Sequence, residues 1–190
     1  MTKKIIGLTG FARAGKDTFQ IRSKLLLSGI DKNFVCHRYA FADALKDECD
    51  EFLIKNMGIS AFSECTSEKN IIRPFLVTYG THLRRKLDSE CWIKKIRPLI
   101  DEIKPISGKL DFIFITDVRF KNEAEWVKST GGYIINISRE GYGPANIEEE
   151  EQSSLIAPLV DHNVSWPTFG DGNLDNCDHL ISPILKKISA

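Results

Sequence analysis

The amino-acid sequence predicts an α/β fold in which a parallel β-sheet lies between helices on both faces, as a three-layer sandwich. Two observations predict it. Short apolar segments alternate along the chain with longer amphipathic segments, which is the pattern of repeated strand–helix units. Residues 112–115 read Phe-Ile-Phe-Ile, as expected of a central strand buried on both faces. The length of 190 residues suits a single domain.

The elements follow from the apolar pattern and from the residues that interrupt it. Strands are predicted at the short apolar runs, at residues 4–9, 34–41, 111–116 and 133–138. Helices are predicted at residues 16–28, 42–57, 74–87, 91–103, 122–130 and 176–188. Pro74 is expected in the first turn of its helix, whereas Pro98 is expected to kink or break its own. Residues 56–70 are expected to form a loop or an edge segment.

Residues 140–172 differ in composition from the rest of the chain. They combine glycines and prolines with the acidic run 148–151, and they are expected to be irregular and partly mobile. The acidic run itself is most simply a solvent-exposed stretch. No internal repeat or coiled-coil heptad is visible in the sequence.

Composition limits the classes of function. Lys and Arg total 26 and so do Asp and Glu, and this zero net charge argues against coating nucleic acid, although a local basic cleft remains open. The five cysteines form no CxxC or Cys/His cluster and are expected to be reduced packing residues. The first apolar run is too short for a signal peptide or a membrane span. A cytoplasmic protein is therefore expected, in the host cytoplasm if it is viral.

The segment Gly-Phe-Ala-Arg-Ala-Gly-Lys at residues 10–16 matches the pattern GxxxxGK. Two glycines allow the backbone to curl around a phosphate, the following helix presents its positive end, and lysine adds a full charge. A strand is predicted before the motif and a helix after it, which is the required context. The sequence thus predicts a P-loop NTPase-type sheet that binds ATP. The predicted phosphate-binding residues are Gly10, Ala12, Arg13, Ala14, Gly15 and Lys16.

The residue after this motif is unusual, because the pattern has Ser or Thr there as a ligand for Mg²⁺. Asp17 occupies the position and Thr18 follows it. A carboxylate is a good ligand for a hard cation, so either Asp17 binds Mg²⁺, directly or through water, or Thr18 does so from a shifted register. The structural alternative is that Asp17 caps the helix N-terminus.

Other candidates follow predicted strands, at the sheet edge where parallel α/β folds bind ligands. Asp117 ends the central apolar run, where it could hold Mg²⁺ and substrate or be an ordinary turn residue. Arg119 could pair with Asp117 or reach a phosphate. Asp43 and Lys46 follow the second strand, where Asp43 could position an acceptor or cap a helix.

Three arginines and one tryptophan complete the candidate set. Arg73, Arg84 and Arg85 suit a monophosphate pocket because arginine binds phosphate oxygens in a bidentate way, although a solvent-exposed helix face explains at least one of them. Trp92 could stack on a base or belong to the core. The chain has no Asn-Lys-x-Asp motif of a GTPase and no transporter signature, and it is short for a helicase core. A small-molecule kinase remains.

Several segments together resemble the deoxynucleoside monophosphate kinases of tailed bacteriophages, over about residues 4–140. The more specific of these are the Gly-Lys-Asp-Thr variant of the P-loop and the segment Thr-Asp-Val-Arg-Phe at residues 116–120 followed by Asn-Glu-Ala at 122–124. The others are Ile-Gly-Leu-Thr-Gly at 6–10, Phe-Ala-Asp-Ala-Leu-Lys at 41–46, Tyr-Gly-Thr at 79–81, Arg84, Arg85, Trp92, Gly131-Gly132 and residues 135–139.

The resemblance implies ATP- and Mg²⁺-dependent transfer of a phosphoryl group to a deoxynucleoside monophosphate. In such an enzyme Lys16 and the loop amides would hold the donor, and Asp43, Arg84 and Arg85 would face the acceptor. The single domain of residues 1–190 would contain an acceptor-binding insertion at about 44–105 and a lid at about 140–172. No arginine follows residue 139, so the lid brings no guanidinium. The predicted catalytic set is Lys16, Arg13, Asp43, Arg119 and Arg139, with Mg²⁺.

Two alternatives remain open from the sequence. Dephospho-coenzyme A kinases have similar opening segments, and a non-catalytic nucleotide-binding module would need the same loop. The expected partner is a small-molecule substrate, with neither nucleic acid nor membrane, and a homodimer is left open. The sequence identifies neither the base accepted nor a preference for deoxyribose.

Overall fold

The computed structural model describes residues 3–30, 33–104, 106–167 and 173–189. In these residues one sheet of five parallel strands has the order β2-β3-β1-β4-β5. The strands are β1 (Lys3–Thr9), β2 (Phe34–Tyr39), β3 (Leu110–Ile115), β4 (Tyr133–Arg139) and β5 (His162–Trp166). The predicted α/β fold with a parallel sheet is confirmed, and β5 is a strand that the sequence analysis missed.

The strands are connected by helices and short turns. The α-helices are α1 (Lys16–Ile30), α2 (Phe41–Met57), α3 (Thr66–Val77), α4 (Arg85–Leu87), α5 (Cys91–Asp101), α6 (Lys121–Ser129), α7 (Ile147–Ile156) and α8 (Asp178–Ser189). A π-helix, Thr78–Arg84, joins α3 to α4, and 3₁₀ turns cover Ala157–Leu159 and Leu174–Cys177. None of the described helices is long and apolar enough to cross a membrane.

The chain divides into two compact units. The sheet unit comprises Met1–Tyr39 and Ile103–Ala190, and the helical unit comprises Ala40–Glu102. The sheet unit thus contains all five strands with α1, α6, α7 and α8, and the helical unit contains α2 to α5.

Both faces of the sheet are covered by helices. On one face, Ile6 and Leu8 of β1 pack in a buried cluster with residues of α1 and α8 such as Phe19 and Leu185. Successive strand residues point to opposite faces, so Gly7 faces the other side. A Cβ at Gly7 would come within 2.8 Å of Ile134 Cδ1 and within 2.9 Å of Val118 Cγ2. Glycine at this position therefore allows these two side chains to pack closely against the central strand.

Two expectations about the helical unit were wrong. Residues 66–70 were expected in a loop, but α3 begins at Thr66 and Pro74 lies inside it. Ser63 Oγ accepts a hydrogen bond from Cys65 N at 3.1 Å and donates one to Glu68, so these polar residues organise a helix start. Pro98, expected to kink or break its helix, does not break α5, because buried residues on both sides of it hold this helix in place: Trp92, Ile93, Ile96 and Ile100. A kink at Pro98 stays a prediction.

The irregular segment expected at residues 140–172 instead contains α7 and β5. Val164 and Trp166 of β5 are buried and pair in register with Ile137 and Arg139 of β4. The sequence signal was weak because β5 is short and carries polar residues between the buried ones, and the acidic start of α7 has no apolar period. Residues 168–172 lie outside the described residues.

The five cysteines are all unpaired, but Cys65 is not the packing residue that was expected. Cys49, Cys91 and Cys177 are buried, Cys36 is half-buried and Cys65 is exposed. Burial raises the pKa of Cys36 and of Cys49 to about 11, which makes both thiols poor nucleophiles.

Candidate functional site

The predicted P-loop connects the end of β1 to the start of α1, as the motif requires. Gly10 and Gly15 have φ angles of 129° and 97°, in the region that favours glycine. A Cβ at Gly10 would collide with the carbonyl oxygen of Ile137 on β4. Arg13 also has a positive φ, 64°, which costs a non-glycine residue conformational energy. The backbone thus curls tightly where the motif predicts it.

The Lys16 side chain is hydrogen-bonded to the first two residues of this loop. Its Nζ donates hydrogen bonds to Gly10 O at 2.6 Å and to Phe11 O at 2.9 Å. Burial and the positive charge of Arg119 lower the pKa of Lys16 to about 8, against the opposing influence of nearby carboxylates. The ammonium group is therefore positioned at the mouth of the loop and is strongly affected by its electrostatic surroundings.

Trp166 supports the loop from β5. Its Nε1 donates a hydrogen bond to Ala14 O at 3.0 Å, and Trp166 is 3% exposed. The indole lies against Gly15, where a Cβ would come within 2.8 Å of Cζ2. Trp166 was not among the predicted site residues, because it fell in the segment expected to be irregular.

The loop after β3 is fixed beside the P-loop. Val118 N donates a hydrogen bond to Leu8 O of β1 at 3.0 Å. The Glu123 carboxylate, only 1% exposed, accepts hydrogen bonds from Arg119 N at 2.8 Å and Phe120 N at 3.0 Å. Glu123 was quoted in the sequence analysis only as part of a resemblance, and it fixes the backbone at Arg119 and Phe120.

Charges near Lys16 show which predicted residues come together. Arg119, Asp17 and Asp117 all influence its pKa, so these charged groups lie near Lys16. Asp17 is exposed in the first turn of α1, Thr18 is half-buried, and Asp117 is half-buried. Arg13 is exposed, and the Arg139 guanidinium lies over the Tyr142 ring at 4.6 Å from its centroid.

The donor set suits Mg²⁺ bound together with a nucleotide. No group of three or more His, Cys, Asp or Glu side chains in the described residues could hold a metal alone. Mg²⁺ commonly binds through one or two carboxylates plus substrate phosphates. Three carboxylates, those of Glu149, Asp17 and Asp117, influence the pKa of Lys16, and the last two were predicted as metal ligands. Which of Asp17, Thr18 and Asp117 would contact the ion stays a prediction.

The acidic run holds a residue that the sequence analysis misjudged. Glu148, Glu150 and Glu151 are exposed as expected, but Glu149 is half-buried. Glu149 Oε1 accepts a hydrogen bond from Ala12 N of the P-loop at 3.2 Å. An acidic side chain of α7 therefore contacts a backbone N–H group of the predicted phosphate site.

The remaining predicted residues all lie in the helical unit. Asp43 is in the first turn of α2, where its backbone N–H bonds to Ala40 O, and Arg73 is exposed on α3. Lys46 lies 5.4 Å from the centroid of the Phe62 ring, and Arg85 Nη1 donates a weak hydrogen bond to Ser89 O at 3.4 Å.

Within that unit, Glu48 joins several side chains around Arg84. Tyr79 Oη donates a hydrogen bond to Glu48 Oε1 at 2.6 Å, and Arg84 Nε lies 2.7 Å from the same oxygen. Lys95 Nζ lies 2.8 Å from Oε2. Burial raises the Glu48 pKa, but these partners outweigh it and the net shift is downward. One carboxylate is thus shared by two cations.

Trp92 is buried at 3% exposure, with the Arg84 guanidinium 5.9 Å from its ring centroid. This burial favours the core alternative for Trp92, since a side chain so enclosed offers no free face to a base. Its contact with Arg84 gives it a role in holding that guanidinium in place.

Comparison with known proteins gives one relative in sequence. The chain is 29% identical to a protein of Acanthamoeba polyphaga mimivirus described as "Putative deoxynucleotide monophosphate kinase", over 83% of this chain and 88% of that protein. No protein-family model matches the chain. The relative belongs to a mimivirus, so the expected bacteriophage origin stays a prediction.

Two solved structures align over almost the whole chain at low identity. A mutant of the Mycobacterium tuberculosis APS kinase CysC is 12% identical, with a TM-score of 0.40 over 97% of this chain and 98% of that chain. TT1252 from Thermus thermophilus is 14% identical, with a TM-score of 0.41 over 98% of each chain. At these scores neither likeness bears on the function.

Proposed function

We propose that this protein is a nucleoside monophosphate kinase that transfers the γ-phosphoryl group of MgATP to a deoxynucleoside monophosphate. The observation that carries the proposal is the P-loop of residues 10–16, with its positive-φ glycines and the Lys16 ammonium at its mouth. The mimivirus relative, described as a kinase of deoxynucleotide monophosphates, supports the choice of acceptor.

Donor binding would use the loop amides, the N-terminus of α1 and Lys16, which together provide N–H groups and positive charge for phosphate oxygens. Mg²⁺, when bound, would supply positive charge that neutralises the phosphates. Asp17, Thr18 and Asp117 are the residues that would hold it. Arg119 lies close enough to influence the pKa of Lys16, so it is the cation best supported for the transferred phosphoryl group.

Acceptor binding would use the helical unit. Arg84 is held by Glu48 and packs over Trp92, so its guanidinium is pre-oriented, and Arg85 follows it in sequence. Asp43 at the start of α2 would position the acceptor. Transfer between two bound nucleotides needs alignment and charge stabilisation, and it needs no covalent enzyme intermediate.

The proposal is tested by an assay of ADP formation with MgATP and a panel of acceptors. The panel contains the four deoxynucleoside monophosphates, the ribonucleotides and dephospho-coenzyme A. We expect ADP only with nucleoside monophosphates, and faster with the deoxy forms. Turnover of dephospho-coenzyme A alone would identify the other kinase class. ATP binding without acceptor-dependent ADP would identify a non-catalytic module.

Lys16→Ala provides the matching variant, and Lys24→Ala on the exposed side of the same helix provides the control. Removing a charge that stabilises the transferred group should lower kcat/KM by about a hundredfold or more, with an unchanged circular dichroism spectrum. The control should keep full activity. Retained activity in Lys16→Ala would exclude this loop as the donor site.

A further inference from the structure

Both carboxylate oxygens of Glu149 accept hydrogen bonds, one from the P-loop and one from the segment just before α7. Its Oε1 accepts the hydrogen bond from Ala12 N, and its Oε2 accepts one from Ala145 N at 2.7 Å. Its own backbone N–H donates to Asn146 Oδ1 at 2.8 Å, which caps the N-terminus of α7. The carboxylate therefore sits in a fixed position and bridges the helix start to the loop.

The contact between Glu149 and Ala12 also occupies space next to the P-loop. A cavity of about 20 Å³ lies beside this contact. Its lining includes Gly10, Phe11, Arg119, Glu149 and Ser153. A cavity of this size holds about one water molecule and is too small for a phosphoryl group. A phosphate that accepts a hydrogen bond from Ala12 N must therefore displace the Glu149 carboxylate.

Charge adds to this steric conflict. The loop amides and Lys16 form a site for anions, and Glu149 supplies an anion from within the chain, close enough to influence the pKa of Lys16. A second anion in the same place would meet like-charge repulsion and would have to replace the hydrogen bond from Ala12 N.

We propose that Glu149 is an internal competitor for the phosphate loop, which a nucleoside triphosphate must displace to bind. The inference rests on the nucleotide-binding part of the proposed function and is independent of the acceptor. Displacement removes the carboxylate from Ala145 N and loosens the first turn of α7. The C-terminal end of α7 stays anchored, because Ile156 is buried.

The test is isothermal titration calorimetry of the full chain with ATP, with and without Mg²⁺. The variants are Glu149→Gln, which removes the charge at nearly constant shape, and Glu148→Gln and Glu151→Gln, which remove an exposed charge from the same helix. Hydrogen exchange of residues 145–152 with and without ATP is the second measurement.

We expect Glu149→Gln to bind ATP about tenfold more tightly, because a charged hydrogen bond and a repulsion are both lost. The two control variants should change the affinity by less than about twofold. ATP should speed exchange at residues 145–152 in the wild-type protein while it protects residues 10–19.

Several results would overturn the inference. Unchanged affinity in Glu149→Gln would show that the contact does not compete with nucleotide. Weaker binding only when Mg²⁺ is present would make Glu149 a metal ligand. Slower exchange at residues 145–152 on ATP binding would show that α7 closes on the nucleotide. If the wild-type protein binds no ATP, the proposed function fails as well, whereas ATP binding with the same affinity in both proteins refutes the competition alone.

Discussion

The chemistry of the Lys16 ammonium group depends strongly on its surroundings. Its pKa of about 8 arises first from burial and then from the charge of Arg119. Bound phosphates would bring several negative charges close to Nζ and raise that pKa. The protonation state of one side chain therefore links nucleotide affinity to pH near the physiological range.

We expect the affinity for ATP to fall as pH rises above about 8. The sign follows because the free protein loses the Lys16 proton there while the complex keeps it, so binding takes up a proton. Calorimetry at pH 8.5 in two buffers of different ionisation enthalpy measures this uptake directly. In Lys16→Met the uptake should disappear. An affinity independent of pH between 7 and 9 would contradict the assignment.

At the scale of single residues, the sequence predicted the phosphate loop but not the residues from elsewhere in the chain that contact it. Gly10, Gly15 and Lys16 were predicted because glycine lets the backbone curl around a phosphate and lysine adds a positive charge. The partners Glu149 and Trp166 could not be found, because they lie more than 130 residues away in sequence and no local pattern marks a tertiary contact. Arg13 was identified as a cation, but its positive φ has no signature in a non-glycine residue.

At the scale of elements, the turn between β3 and α6 is built on one buried carboxylate. Glu123 binds two backbone N–H groups of the turn that carries Asp117 and Arg119. The carboxylate reaches back over the start of its own helix, which satisfies N–H groups that the helix leaves unpaired. The geometry of this side of the site therefore depends on a residue that need not contact any substrate.

Glu123→Ala should leave these two N–H groups without partners and lower the free energy of unfolding by about 2–3 kcal/mol. It should also lower kcat, since Arg119 would lose its fixed position. Urea unfolding and steady-state kinetics measure the two effects. Glu125→Ala on the same helix is the control, because Glu125 is exposed and its ion pair with Lys121 spans 3.3 Å at the surface. Equal effects of the two substitutions would refute this role.

Element prediction succeeded where one pattern dominated. The four apolar strands and α1, α5 and α6 were placed to within a few residues because burial of one face gives a clear period. It failed at α3, where Pro74 was taken as a start signal although a helix can contain proline when its neighbours bury an apolar face. It failed at β5 because that strand is shorter than most of the others and mixes polar with buried positions.

At the scale of the whole molecule, the predicted residues divide between two units. Those of the donor site lie in the sheet unit, and Asp43, Lys46, Arg73, Arg84, Arg85 and Trp92 lie in the helical unit. The sequence analysis expected an acceptor-binding insertion at about residues 44–105, and the helical unit spans Ala40–Glu102. Its role in acceptor binding stays a prediction.

We expect the two substrates to protect different units from hydrogen exchange. MgADP should protect residues 9–19 and 116–120, because ligand binding suppresses local opening around the groups it contacts. A deoxynucleoside monophosphate alone should protect residues 43–48 and 80–92. Inorganic phosphate at the same concentration is the control for non-specific anion effects. Protection of the sheet unit alone by both nucleotides would remove the helical unit from the reaction.

The three tryptophans of the chain are spread over distinct surroundings. Trp92 is buried in the helical unit, Trp126 lies on α6, and the Trp166 indole is bonded to the P-loop backbone. Indole emission depends on hydrogen bonding and on nearby charge. In a protein with Phe at positions 92 and 126, Trp166 would be the remaining tryptophan. The intensity and wavelength of its fluorescence would then report phosphate binding at the P-loop without an attached dye.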